Sequence, residues 1–151
     1  MRILVADDDV SSRLVAQAVV EGLGHVCVTA SDGDEAWRLI ASFAPEVLVT
    51  DRDMPGMDGV TLCRRIRAEQ VDGYTYIVLL TALGHPHQVL AGMLAGADDY
   101  ITKPLNPFHL QTRLLAAARV TALHAALAAA RTELAHGAHP PGLPGTTPSH
   151  G

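Results

Sequence analysis

The sequence predicts an α/β domain in which five β-α units build one parallel sheet with helices on both faces. Three observations predict it. Short apolar runs alternate with segments of helical periodicity from residue 2 to about residue 118, the order expected of a parallel sheet. The connections between them are short, which suits right-handed crossovers. The runs Val47–Thr50 and Tyr76–Leu80 are almost uninterruptedly apolar, as strands covered on both faces are.

Each element has its own signal. Residues 2–6 form the first apolar run. Val10, Leu14, Val15, Ala18, Val19 and Leu23 follow at helical spacing and stop at Gly24. His25 to Ala30 alternates, placing Val26, Val28 and Ala30 on one face as an edge strand would. Ala36, Trp37, Leu39, Ile40 and Phe43 mark a second helix, ended by Pro45, and residues 46–50 the next strand. Met54 to Gly59 is turn material, and Asp58 is placed to cap a helix carrying Val60, Leu62, Cys63 and Ile66. After the Tyr76–Leu80 strand, Val89, Leu90, Met93 and Leu94 read as a short helix up to Gly96, and a last strand ends at Thr102. Asn106-Pro107 opens the final helix, with Asn as N-cap and Pro in the first helical position.

That final helix outlasts the domain. Its pattern continues to about His136, some 30 residues or about 45 Å, roughly twice what a sheet needs. Ala116, Val120, Leu123, Leu127, Ala130 and Leu134 fall at alternating four- and three-residue steps, a heptad seam. The expected organisation is a domain over residues 1–118, a helical extension over 119–136, and a disordered tail or linker over 137–151, which holds four Gly and four Pro. The seam predicts a parallel two-helix stalk with a second copy.

Composition excludes several classes. The chain has 151 residues, 48% of them apolar, and a formal charge of −5. With a pI near 5.8, it lacks the clustered Lys and Arg of a nucleic-acid surface, so no direct nucleic-acid contact is expected. No apolar run approaches the ~20 residues of a membrane span, and the first residues enter a strand directly, without a signal-peptide pattern. Cys27 and Cys63 have no ligand-type spacing and read as reduced packing residues of a cytoplasmic protein.

The chemistry gathers at strand ends. Asp7, Asp8 and Asp9 follow the first run, Asp51 ends the third, Thr81 with Ala82 ends the fourth, and Lys103 with Pro104 ends the fifth. Such residues collect at the carboxyl edge of a parallel sheet, where open α/β sheets place their sites. Clustered carboxylates repel unless a cation joins them, and a hard ion such as Mg²⁺ takes one or two carboxylates together with phosphate oxygens and waters. A lysine beside the cluster points to an arriving phosphoryl group.

Taken together, Ile3-Leu4-Val5-Ala6-Asp7-Asp8-Asp9, Asp51 with Met54-Pro55-Gly56-Met57-Asp58-Gly59, Leu80-Thr81-Ala82 and Gly96 to Pro104 resemble the receiver domain of two-component response regulators, of the chemotaxis-regulator type, over residues 1–118. The resemblance implies a flavodoxin-like sheet of order 2-1-3-4-5. It implies Asp51 as the phosphoacceptor, taking a phosphoryl group from a phosphohistidine on a sensor histidine kinase or phosphotransfer protein. It further implies that Asp8, Asp51 and the backbone carbonyl of Asp53 hold Mg²⁺, with Asp7 acting through water. Lys103, Thr81 and the Ala82 N–H would bind phosphoryl oxygens. Thr81 and Tyr100 would switch together, repacking a face made by helix four, strand five and helix five, a second surface for self-association. The Lys103-Pro104 bond would be cis. Such a protein catalyses only its own phosphoryl transfer and dephosphorylation.

Arg52 and Asp53 depart from common members of that family. Both suit exposed loop positions, and Asp53 also stands where it could activate the water that hydrolyses an acyl phosphate. His85-Pro86-His87 reads as loop histidines, since no third ligand accompanies the pair. Asp51-Arg52-Asp53 after an apolar strand is also how haloacid-dehalogenase-type phosphatases begin, but those place their acidic metal pair after the lysine. A receiver-like scaffold that is never phosphorylated would not need Asp8, Asp51, Thr81 and Lys103 together. An N-terminal receiver joined to an effector domain after residue 151 is the remaining alternative to a stand-alone switch.

Overall fold

A computed structural model describes residues 1–70 and 73–137. The strands are β1 (Arg2–Ala6), β2 (Val26–Ala30), β3 (Val47–Asp51), β4 (Tyr76–Thr81) and β5 (Asp99–Thr102). They alternate with α1 (Val10–Gly22), α2 (Gly33–Phe43), α3 (Gly59–Glu69), α4 (Pro86–Ala95) and α5 (Pro107–Gly137). All strands are parallel, in the order β2-β1-β3-β4-β5. This is the doubly wound, flavodoxin-like arrangement, with the strand order reversing between β1 and β3.

Because side chains alternate along a strand, each strand feeds two cores. Leu4, Leu48, Ile77 and Leu79 face α2, α3 and α4, meeting Ala36, Leu62, Cys63, Ile66 and Ala95. Ile3, Val5, Val49, Val78, Leu80 and Ile101 face α1 and α5, meeting Ala16, Val20, Leu110, Leu114 and Ala117. Asp58 caps α3 by accepting from the Thr61 N–H at 2.7 Å, and the Asn106 side chain accepts from the Phe108 N–H at 2.8 Å. Two further caps, Asp9 on α1 and Asp32 on α2, follow the same chemistry.

Two helices bury a different face from the one their periodicity suggests. On α1 the core takes Ala16 and Val20, while Val10 and Leu14 are 56% and 57% exposed. On α4 it takes Gly92 and Ala95, while Leu90 and Leu94 are exposed. On α4 the cause is close approach. A Cβ on Gly92 would lie 2.3 Å from Leu79 Cδ1, so α4 sits where only small residues fit. The large residues are thereby turned to solvent.

The last helix runs antiparallel to the strands, away from the carboxyl edge of the sheet. Its final contacts with the body are at the opposite edge, where Thr121 Oγ1 meets Met1 Sδ at 3.6 Å and the His124 ring stacks on Tyr74 at 4.0 Å between centroids. Beyond residue 124 every described residue of α5 is exposed, and the helix ends at Gly137, one residue past the expected boundary. Contrary to the expectation that no segment reaches membrane-spanning character, α5 is long and apolar enough to cross a membrane by length and composition, with a mean hydropathy of 1.3 over its most apolar window. Alanine supplies most of that apolarity, and its first half is a core helix through Leu110, Leu114 and Ala117. Residues 138–151, read from sequence as a tail or linker, lie outside the described residues.

Candidate functional site

Strand register brings the charges together. Ala6 pairs with Thr50, so Asp7 and Asp51 follow side by side at the carboxyl edge. Asp51 pairs with Leu80, and Thr81 pairs with Thr102, which places Thr81 and Lys103 one step beyond. The Lys103 N–H donates to the Thr81 carbonyl at 2.7 Å, tying those two strand ends. The Lys103-Pro104 peptide bond is cis, as the resemblance implied.

Lys103 Nζ donates to Asp51 Oδ2 at 2.8 Å and lies 3.3 Å from Asp7 Oδ2. One ammonium thus serves two buried carboxylates. The Asp7 contact is close enough for charge but poorly angled for a hydrogen bond, and Asp7 Oδ2 stays without a hydrogen-bond partner. Asp7 Oδ1 accepts from the Asp9 N–H at 2.9 Å, and Arg13 Nη1 donates to the Asp7 carbonyl at 2.7 Å. Asp51 Oδ1 accepts from the Asp53 N–H at 3.3 Å, drawing the backbone of residue 53 to the carboxylate.

The electrostatics follow from burial. Burial pushes the Asp51 carboxyl up to about 6, against the hydrogen bond and charge of Lys103, with Asp7 adding to the rise. Burial also works against the Lys103 ammonium, but Asp51 and Asp7 outweigh it, and its pKa ends raised. Lys103 alone does not balance the carboxylate charge gathered here. Asp7, Asp8 and Asp51 can each bring a carboxylate oxygen within 4.8 Å of the others, and with Asp7 Oδ2 unpartnered the donor set fits a hard divalent ion. Thr81 Oγ1 is likewise buried without a hydrogen-bond partner. It is free to donate to an incoming oxygen.

Other sequence-derived candidates lie outside this cleft. The Asp9 carboxylate is used in capping α1, accepting from the Ser11 N–H and the Ser12 hydroxyl at 3.2 and 2.8 Å. The Asp53 side chain is 75% exposed and faces Arg52 at 3.8 Å. Tyr100 is exposed on β5. His85 precedes α4 and His87 lies in its first turn, and among the described residues neither joins a metal-type cluster.

A family model of the response regulator receiver domain matches residues 3–115. This chain belongs to that family. The receiver's relatives include the phosphate regulon transcriptional regulatory protein PhoB of Pseudomonas aeruginosa, 34% identical over 119 residues, covering 79% of this chain and 52% of that protein. The DNA-binding response regulator MtrA of Mycolicibacterium paratuberculosis is 38% identical over 118 residues, covering 78% and 51%. A Francisella response regulator receiver domain superposes with a TM-score of 0.71 at 32% identity, over 80% of this chain and 98% of that one. The chain spans about half the length of the curated relatives it matches. Receivers are signalling domains of two-component systems. They interact with histidine kinases or phosphotransfer proteins and generally bind Mg²⁺ at an acidic pocket. The phosphatase alternative falls with this membership.

Sequence reasoning missed one cluster of this receiver. Arg67 Nη2 donates to Asp98 Oδ2 at 2.8 Å, and Arg67 Nε to the Gly96 carbonyl at 2.9 Å. The Tyr74 hydroxyl donates to the other oxygen of Asp98, and the Arg67 guanidinium covers the Tyr74 ring at 4.4 Å. The cluster ties α3 to the entry of β5 and reaches α5 through the Tyr74–His124 stack. Asp98 and His124 lie far in sequence from Arg67 and Tyr74, and no local pattern links them.

Proposed function

We propose that Asp51 is the phosphoacceptor of this receiver. The observation that carries this reading is the shared ammonium. Lys103 is drawn between Asp51 and Asp7 at the sheet edge, with Thr81 Oγ1 and Asp7 Oδ2 buried and unpartnered beside it. An Asp51 carboxylate oxygen attacks the phosphorus of a phosphohistidine, a P–O bond forms as the P–N bond breaks, and the imidazole leaves, giving an aspartyl phosphate. Catalysis here is positioning and charge neutralisation. Lys103 moves from the Asp51 carboxylate to a phosphoryl oxygen, and the Thr81 hydroxyl and the Ala82 N–H donate to others. Asp7, Asp8, Asp51 and the carbonyl of Asp53 would hold Mg²⁺, which when bound neutralises carboxylate and phosphoryl charge together. The only chemistry assigned to the chain is its own phosphoryl transfer and hydrolysis.

The exposed large residues fit input and output. Val10 and Leu14 on α1 flank the acidic cleft and suit docking of a sensor kinase or phosphotransfer protein. Leu14→Glu is expected to slow transfer from such a protein at least tenfold while leaving phosphorylation by acetyl phosphate within about twofold, a loss typical of an interface anchor. Equal slowing with both donors would remove α1 from the docking site. Leu90 and Leu94 on α4 with Tyr100 and Phe108 form an apolar output face. Closure of Thr81 on the phosphoryl group draws Tyr100 inward and repacks that face, which then suits self-association. The organisation proposed is a receiver over 1–118 with a helical extension to residue 137. By analogy with relatives twice as long, an effector after residue 151 would contact DNA in the cytoplasm, and the receiver would not.

Asp53 tunes the lifetime of the phosphorylated state. Its side chain sits in solvent two residues beyond the acceptor, placed to activate a water. Asp53→Met is expected to slow dephosphorylation by about tenfold, read from decay of the phosphorylated mass. An equal or faster rate would leave Asp53 as a surface partner of Arg52.

A further inference from the structure

We propose that residues 116–134 of α5 pair with the same residues of a second copy and that the two helices run antiparallel. This goes beyond the phosphoacceptor reading and does not depend on it. The protrusion is long and unsupported: from His124 to Gly137 it extends about 20 Å past the body. Its large residues face water, Leu123 at 69%, Leu127 at 47% and Leu134 at 72% exposed.

At about 100° per residue, the seam lies roughly a third of a turn from the core stripe Leu110–Leu114–Ala117. It is on the side of Arg113, whose Nε is 2.9 Å from Asp99 on β5 in an ion pair angled too poorly for a hydrogen bond. On that side the seam itself meets the body at Val120, half-buried against the core, and it is exposed from Leu123 outward. His124 occupies that side, stacked on Tyr74. Arg119 and Glu133 occupy the other, facing solvent, and neither is in an ion pair among the described residues.

Those two charges decide the direction. Glu133 is the single acidic residue in α5. With Val120, Leu127 and Leu134 at heptad position a, Arg119 and Glu133 are both at g and His124 and Arg131 at e. In the parallel pair expected from the seam alone, g meets e of the other helix. Arg119 would then face His124, Arg131 would face Ala126, and no cation would lie opposite Glu133. In an antiparallel pair g meets g. Arg119 of each copy then faces Glu133 of the other, twice over by symmetry. The same register stacks Leu123 on Leu127 of the second copy at the centre, Val120 on Ala130 and Ala116 on Leu134, so every seam residue has a partner. Each body reaches His124 and so stays on its own half of the pair, with Leu127 to Leu134 of the second copy lying along residues 116–123.

The test is sedimentation equilibrium of the full chain at low salt, with charge and cysteine variants. Arg119→Glu or Glu133→Arg alone is expected to weaken association about three- to tenfold, since each touches both pairs, and the double reversal to restore it. For cross-linking, Cys27→Ser provides the background, Cys63 being buried. Leu123→Cys and Leu127→Cys proteins are each expected to resist oxidative cross-linking alone and to cross-link when mixed. Ready self-cross-linking of Leu127→Cys would establish a parallel pair and overturn the proposal. So would a monomer at all concentrations, a double reversal that stays weak, or α5-dependent binding to phosphatidylcholine–phosphatidylglycerol vesicles in place of self-association.

Discussion

Incubated with acetyl phosphate and Mg²⁺, the wild-type receiver is expected to gain about 80 Da, one phosphoryl group, and Asp51→Asn none. The same substitution separates the acceptor from its neighbours by stability. Burial raises the Asp51 pKa from 3.8 to about 6. A carboxyl with a higher value in the fold than in the unfolded chain holds its proton more tightly when folded. Its contribution is therefore most favourable below 3.8 and declines as pH rises to about 6. At neutral pH without a divalent ion the Asp51 charge is a net burden, and Asn removes it. Lys103 loses a partner in exchange, so the gain is expected to be about 1 kcal/mol, well short of the full shift. Mg²⁺ is expected to reverse the order. At a hundredfold excess over its dissociation constant it is expected to stabilise the wild type by about 2.7 kcal/mol and Asp51→Asn far less. Thermal unfolding with EDTA and with Mg²⁺ reads both effects. A phosphoryl adduct on Asp51→Asn, or equal Mg²⁺ stabilisation of the two proteins, would sink the assignment.

Gly33→Ala is expected to be the most damaging conservative change outside the cleft. Gly33 opens α2, and a Cβ there would lie 1.8 Å from the Met57 carbonyl oxygen and 2.6 Å from its carbon. Neither is the free end of a flexible side chain, so α2 or the 54–58 loop must move. Overpacking against backbone is expected to cost about 3 kcal/mol, roughly 10 °C in Tm for a domain of this size. The loop that moves is the one that follows Asp51. It carries the Asp53 N–H that donates to the Asp51 carboxylate. Phosphorylation by acetyl phosphate should therefore slow as well, even at temperatures where the variant is folded. A variant as stable as wild type would show that the contact relaxes without loss. Normal phosphorylation of a destabilised variant would uncouple the loop from the site.

The cleft was legible because each of its residues stands directly after a strand pattern, and parallel topology brings strand ends to one edge. Asp58 and Asn106 were legible as caps because they precede helical periodicity by one residue. Asp9 was not, since it sits in a run of three acids and only geometry shows that its carboxylate turns to the Ser11 N–H. The buried faces of α1 and α4 were misread for a different reason. Periodicity assigns the core to the largest apolar residues, whereas on α1 it goes to Ala16 and Val20 and on α4 to Gly92 and Ala95, where Gly92 packs closely on Leu79. Nothing local to Gly33 announces the backbone lying against it. Arg67 and Asp98 are 31 residues apart and meet only once the sheet has formed.

The stack of His124 on Tyr74 lies at the far edge of the sheet from Asp51. The strands between them are five or six residues long, roughly 17–20 Å. The molecule thus has two poles, one carrying the acidic cleft and the other releasing the helix. A donor bound at the first pole leaves the second sterically open, so both can be occupied at once. Any rule that phosphorylation imposes on the outgoing helix must be carried as a change in energy through the sheet, because bulk at one pole cannot obstruct the other.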